Sequence, residues 1–170
     1  MKPAYSVIFL TTLIGAAQGL FLALFAADLL DPRAAAQVFQ VVGSVLALGL
    51  SGLGLLASFF HLGHPERAWR SAAMWRTSWL SREVIALPLF MLGLLVYGAA
   101  HAMGSTGTVA IGAVVALLCV ALFLCTSMVY ASIRFLQEWA SPLTVANYVL
   151  FGCASGFTLA TALAAWTAPE

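Results

Sequence analysis

Residues 59–85, FFHLGHPERAWRSAAMWRTSWLSREVI, interrupt an otherwise apolar chain, and what flanks them decides the fold. Four of the 7 basic residues (Arg67, Arg70, Arg76, Arg82), two of the 6 acids (Glu66, Glu83), two of the 3 histidines (His61, His64) and three of the 5 tryptophans fall inside this stretch. Elsewhere charge is so sparse that the 170-residue chain is 63% hydrophobic and only 8% charged, far from the balance of a water-soluble domain. Such a composition implies an integral membrane protein with its charged stretch at one membrane face. The net charge of +1 says nothing about partners, because in a membrane chain the side on which charges lie matters more than their sum.

Outward from this stretch the sequence predicts five spans, at residues 5–27, 32–60, 84–103, 108–131 and 142–166. Each is long enough, at about 1.5 Å per residue, to cross a hydrocarbon core of roughly 30 Å. Asp28 and Asp31-Pro32-Arg33 read as a short turn, in which Asp31 caps the second helix and Pro32 takes its first position. Gly104-Ser105-Thr106-Gly107 reads as a tight uncharged turn, and Ser141-Pro142 as a cap and first helical residue. Because every spanning backbone group needs an internal partner and no strand-like alternation occurs, the spans are helices. The fold class is therefore all-α, a polytopic transmembrane bundle forming a single anchor domain over residues 1–170. Between the second and third helices His64-Pro65-Glu66 begins a short interfacial helix. Gly15 and Gly19 offer a face for close helix approach, and Cys119, Cys125 and Cys153, all in apolar runs, are expected as small buried residues. The first span is too long for a signal-peptide core and is expected to stay in the mature chain.

The loops alternate between two faces. Lys2, Arg67, Arg70, Arg76, Arg82 and Arg134 share one face and Arg33 stands alone on the other, which predicts that the N-terminus and the 61–83 loop are cytoplasmic. Multi-pass insertion in the cell's inner (cytoplasmic) membrane follows, with Glu170 outside.

Within the charged stretch, Trp69, Trp75 and Trp79 suit the headgroup level, and Arg70 and Arg76 suit snorkelling. Glu83 stands apart, because a carboxylate where a span begins needs a cation, a donor or a proton. His61, at the end of the second span, lies at the same depth on the same face. On physics alone a structural pairing, of Glu83 with Arg67 or Arg82 and of His61 with the helix end, stands beside a chemical role. Gln18, deep in the first span, is expected to make an interhelical hydrogen bond. No haem is expected, since His61 and His64 share one connection and His101 lies at the far end of the third span. Neither metal ligands nor catalytic residues of the chain's own are indicated.

FFHLGHPERAWR followed by WLSRE resembles the signature of the membrane anchor subunits of molybdenum oxidoreductases of the dimethyl sulfoxide reductase type, the sulfite dehydrogenase anchors in particular. The likeness continues through MVYASIRFLQEW and covers essentially the whole chain. It implies a quinone-binding anchor that exchanges electrons between an iron–sulfur subunit, docked on the cytoplasmic face, and ubiquinone or menaquinone, most simply in sulfite oxidation. Molybdopterin and iron–sulfur clusters would belong to partner subunits only, and nucleic acid is not a partner. Residue by residue, the resemblance places His61, Arg67 and Glu83 at quinone-binding and proton-handling positions, with His64, Tyr130 and Arg134 as weaker candidates. It further implies that His61, Arg67 and Glu83 converge on one pocket at the membrane boundary. A dimethyl sulfoxide or polysulfide reductase type anchor that oxidises quinol, and a purely structural anchor, are the alternatives. Anchors of this family have about eight spans against five here, which leaves room for a longer protein.

Overall fold

The computed structural model describes residues 5–30, 37–59 and 65–167, with the side chains of residues 65–69 outside that description. These residues form α1 (Tyr5–Leu30), α2 (Gln37–Phe59), a 3₁₀ helix (Pro65–Met74), α3 (Trp79–Ala102), α4 (Thr108–Ala131) and α5 (Pro142–Thr167). All five α-helices are long and apolar enough to cross a membrane, and no strand occurs among the described residues. The protein is a multi-pass membrane helix bundle.

Turn chemistry sets most boundaries where the sequence predicts them. Between α3 and α4, Gly104 takes the left-handed conformation (φ +64) that favours glycine. At α5, the Ser141 hydroxyl accepts the Leu143 N–H at 3.2 Å, and Pro142 leads the helix. The interfacial helix is present as a 3₁₀ helix from Pro65. Two boundaries differ. α1 continues to Leu30, so Asp28, expected in a turn, lies inside the helix and is only 1% exposed. α3 begins at Trp79 and not near residue 84, because Ser78, extended at φ −109 and ψ 126, accepts the Ser81 N–H and caps it. The turn expected around Asp31 and Pro32 and the end of the second helix at Phe60 lie outside the described residues.

α1 packs chiefly between α5 and α2 and also meets α4, while α3 packs on α4 and α2 and carries the 3₁₀ helix. The glycine face of α1 works as expected. A Cβ built on Gly19 would run into the Gly152 carbonyl of α5, and one on Gly156 into the backbone of Gly19 and Leu20, so hydrogen alone fits at this crossing. Gln18 makes its expected interhelical bond, Nε2 donating to the Cys119 carbonyl of α4 at 3.0 Å. Phe21 fills the centre, edge-on to Phe90 at 5.9 Å and to Tyr97 at 5.4 Å. Of the cysteines, Cys119 and Cys125 are buried as expected and Cys153 only half-buried. Leu46, Leu53, Leu92, Leu117 and Leu150 point outward from these five helices.

One stripe of α3 organises the interior. Glu83, Leu87, Phe90, Leu94 and Tyr97 are buried at alternating spacings of four and three, and His101 continues the series. A carboxyl therefore stands at one end of the stripe and an imidazole at the other, about 27 Å apart at 1.5 Å for each of 18 residues (101 minus 83).

Candidate functional site

The early start of α3 puts Glu83 on its second turn, where the inward stripe begins, and its side chain is only 7% exposed. A lone carboxyl there would be costly, and α4 supplies a donor: the Thr126 hydroxyl donates to Glu83 Oε1 at 2.8 Å. Thr126 is itself 1% exposed. On α5 the Tyr148 hydroxyl donates to the Thr11 carbonyl of α1 at 3.2 Å. The Tyr148 ring is held edge-on against Phe123 at 5.8 Å. Carboxyl and hydroxyls lie at similar depths on three helices: Glu83 is four residues from the start of α3, Thr126 five from the end of α4, Tyr148 six from the start of α5.

Arg82 does not neutralise Glu83. Its Nε donates to the Trp75 carbonyl and Nη2 to the Arg76 carbonyl, both at 2.9 Å, and its guanidinium stacks 4.3 Å from the centre of the Trp79 ring. These contacts clip the turn after the 3₁₀ helix onto the first turn of α3. Among the described residues there is no Glu83–Arg82 ion pair, so the structural pairing with Arg82 that the sequence left open does not form. Trp75 is 53% exposed with Arg76 5.3 Å from its ring, as an interface anchor would be.

His61 and His64 lie outside the described residues, and Arg67 falls in the 3₁₀ helix with its side chain outside them, so their convergence with Glu83 is not described. Tyr130 is one turn beyond Thr126 on α4, edge-on to Trp139 at 5.5 Å. Arg134, past the end of α4, is exposed. What the structure brings to Glu83 is Thr126, which does not stand out in the sequence. A single hydroxyl in an apolar helix carries no local mark of function. Among the described residues no three His, Cys, Asp or Glu side chains come together as a metal site.

A second polar cluster closes the opposite end. Tyr97 shares its hydroxyl between Asp28 Oδ2 at 3.2 Å and Gln40 Oε1 at 3.3 Å. Gln40 Nε2 donates to the Leu24 carbonyl at 3.0 Å, and Gln37 Nε2 to the His101 carbonyl at 2.9 Å. His101 Nε2 lies 3.3 Å from Asp28 Oδ2, and its ring packs edge-on to Tyr97 at 4.6 Å. The sequence did hold a signal for this cluster, since Tyr97 and His101 continue the spacing from Glu83, and Asp28 follows Phe21, Leu24 and Phe25 at helical intervals.

The family model described as the DMSO reductase anchor subunit (DmsC) matches residues 1–170, the whole chain. Among curated proteins the chain is similar to a sulfite dehydrogenase subunit of Allochromatium vinosum, 52% identical over 183 residues, which covers 98% of this chain and 56% of that protein. The chain thus spans little more than half the length of that relative. No solved structure matches it.

Proposed function

This chain belongs to the DMSO reductase anchor subunit family, and on that premise we propose that it anchors a molybdopterin and iron–sulfur oxidoreductase in the membrane and passes the complex's electrons to quinone. The name of the 52% identical relative makes sulfite the favoured electron donor. The observation that carries the proton-handling part of this reading is Glu83, a buried carboxyl with a hydroxyl donor, one turn below the charged 65–82 segment on which an iron–sulfur subunit would dock.

The residues fit the group. A quinone needs an apolar approach from lipid, donors for two carbonyls, and two protons for each two electrons it accepts. Glu83 can hold a proton at Oε2 and release it from there, while the Thr126 hydroxyl, donating to Oε1, keeps the carboxyl in place. His61 and Arg67, on the same side of the bundle in sequence, would add a donor and a positive charge near the ring. The basic residues of this face support a cytoplasmic side by the positive-inside rule, where a cytoplasmic catalytic subunit would reach it.

Glu83→Gln in the assembled, membrane-bound complex tests this reading. Sulfite oxidation coupled to a short-chain ubiquinone should fall by about 100-fold, the lower range for loss of a general acid–base group, while oxidation coupled to a soluble dye is retained. Equal quinone-linked rates in variant and parent would leave a purely structural anchor.

A further inference from the structure

We infer that Arg82 is the positioning residue of the quinone site: it fixes the returning end of the charged segment to the helix turn that carries Glu83, and so sets how tightly quinone binds without handling a proton itself. This rests on the quinone reading above and adds a residue to which the resemblance assigns no role. In the turn between the 3₁₀ helix and α3 the Thr77 and Ser78 N–H groups both donate to the Met74 carbonyl, at 3.0 and 2.9 Å, which leaves the next two carbonyls, of Trp75 and Arg76, to Arg82. Two N–H groups of one planar guanidinium grip these successive carbonyls, at 2.9 Å each, a two-point hold that a lysine ammonium, a compact charge on a flexible stem, does not reproduce. Trp79, one helical turn before Arg82, backs the fork with its ring centre 4.3 Å from the guanidinium carbon, and the Ser78 cap fixes the turn from which both side chains leave.

Arg82 and Glu83 are consecutive, and side chains of consecutive helical residues leave the axis about 100° apart. One therefore reaches back to the segment, while the other enters the bundle, where Thr126 of α4 holds it. This divides the work between neighbours. Glu83 keeps its place when the clip is lost, because its partner belongs to another helix. The 3₁₀ helix, which carries Arg67 and follows His61 in sequence, is held at its ends, and the clip fixes the end nearer to Glu83 in sequence. Once released, the segment has to be ordered each time a quinone binds, and that ordering weakens affinity and leaves the proton step alone.

Arg82→Gln and Arg82→Lys in the membrane-bound complex, with turnover expressed per assembled complex, test the assignment. Arg82→Gln should raise the KM for decylubiquinone by about tenfold and leave kcat within about twofold of the parent, with dye-linked turnover unchanged. Arg82→Lys, which keeps the charge and loses the two-carbonyl grip, should raise KM by about two- to fivefold. Hydrogen exchange reads the clip itself: amides of residues 70–78 should exchange faster in both variants, and those of residues 84–100 at the parent's rate. If Arg82→Gln does not assemble, Arg82→Lys carries the same two readouts. A parent KM in Arg82→Lys, whether or not Arg82→Gln raises it, would overturn the clip, since charge alone would then suffice. Faster exchange with KM unchanged would overturn positioning, as would a fall in kcat as large as that of Glu83→Gln, which would make Arg82 part of the proton chemistry. The quinone reading survives each of these results, because the parent still reduces decylubiquinone and Glu83→Gln does so poorly. A parent complex that oxidises sulfite with the dye but not with decylubiquinone would overturn that reading and the role of Arg82 together.

Discussion

The two ends of the α3 stripe hold the same chemical group, a buried carboxyl, in opposite settings. Asp28 is enclosed by Tyr97, Gln40 and His101, drawn from two other helices, and Gln40 is tied onward to the Leu24 carbonyl. These ties join α1, α2 and α3, although Asp28 Oδ1 keeps no hydrogen-bond partner among the described residues. Among the described residues Glu83 has one hydrogen-bond partner, the Thr126 hydroxyl of α4, on one oxygen. A carboxyl whose ties join three helices bolts them together, whereas one held by a single hydroxyl beside the charged segment can take up and release a proton. Burial alone does not separate the two roles; the helices that the hydrogen bonds join do.

The contrast breaks most readily in turnover. Glu83→Gln should cost about 100-fold in quinone-linked rate, and Asp28→Asn, which keeps an acceptor for Tyr97, should change that rate by less than about twofold. Comparable losses in the two variants, measured in membranes with equal amounts of assembled complex, would erase the functional difference between the ends. Thr126→Val, which keeps the shape of the side chain and deletes the donor to Glu83, should lower quinone-linked turnover by about tenfold. A rate equal to that of the parent would mean that the Thr126 donor takes no part in turnover.

Smaller effects sharpen the bolt. Tyr97→Phe removes the donor shared by Asp28 and Gln40 and should destabilise the bundle by about 0.6–1.7 kcal/mol, the range for interhelical hydrogen bonds in membrane proteins, with little change in turnover. Denaturant titration of the protein in mixed micelles measures it. The smallest expected effect belongs to Arg82→Lys, because a lysine cannot donate to the Trp75 and Arg76 carbonyls together while stacking on Trp79. It should cost about 0.5–1 kcal/mol, the value of a cation–π contact at an exposed site, and show as faster proteolysis between residues 70 and 78.

Much of the fold is legible in the sequence because a membrane permits few solutions. Apolar runs of sufficient length with capped or glycine-turned ends must be helices, and Gly107, Ser141 and Pro142 mark the start of residues 108–131 and of α5. The Gly15 and Gly19 face and the Gln18 bond are readable for the same reason, since small and polar residues within a span serve contacts between helices. The start of α3 is harder to read because Trp79, Arg82 and Glu83 resemble a headgroup segment, and the Ser78 cap outweighs that polarity. Asp28 reads as a turn residue because a charge at the end of an apolar run usually leaves the membrane.

The sequence by itself determined that this chain crosses the membrane as helices, that its charge gathers at one end, and that Glu83 lies where that charge meets the bundle. Only the tertiary structure decided what Glu83 and Asp28 each touch. Thr126 is 43 residues from Glu83 (126 minus 83), and Tyr97 is 69 from Asp28 (97 minus 28). Periodicity along one helix says which residues face inward, but the partner each one meets is set by the crossing of helices. That crossing is fixed where Gly19 and Gly156 let α1 and α5 approach to backbone contact.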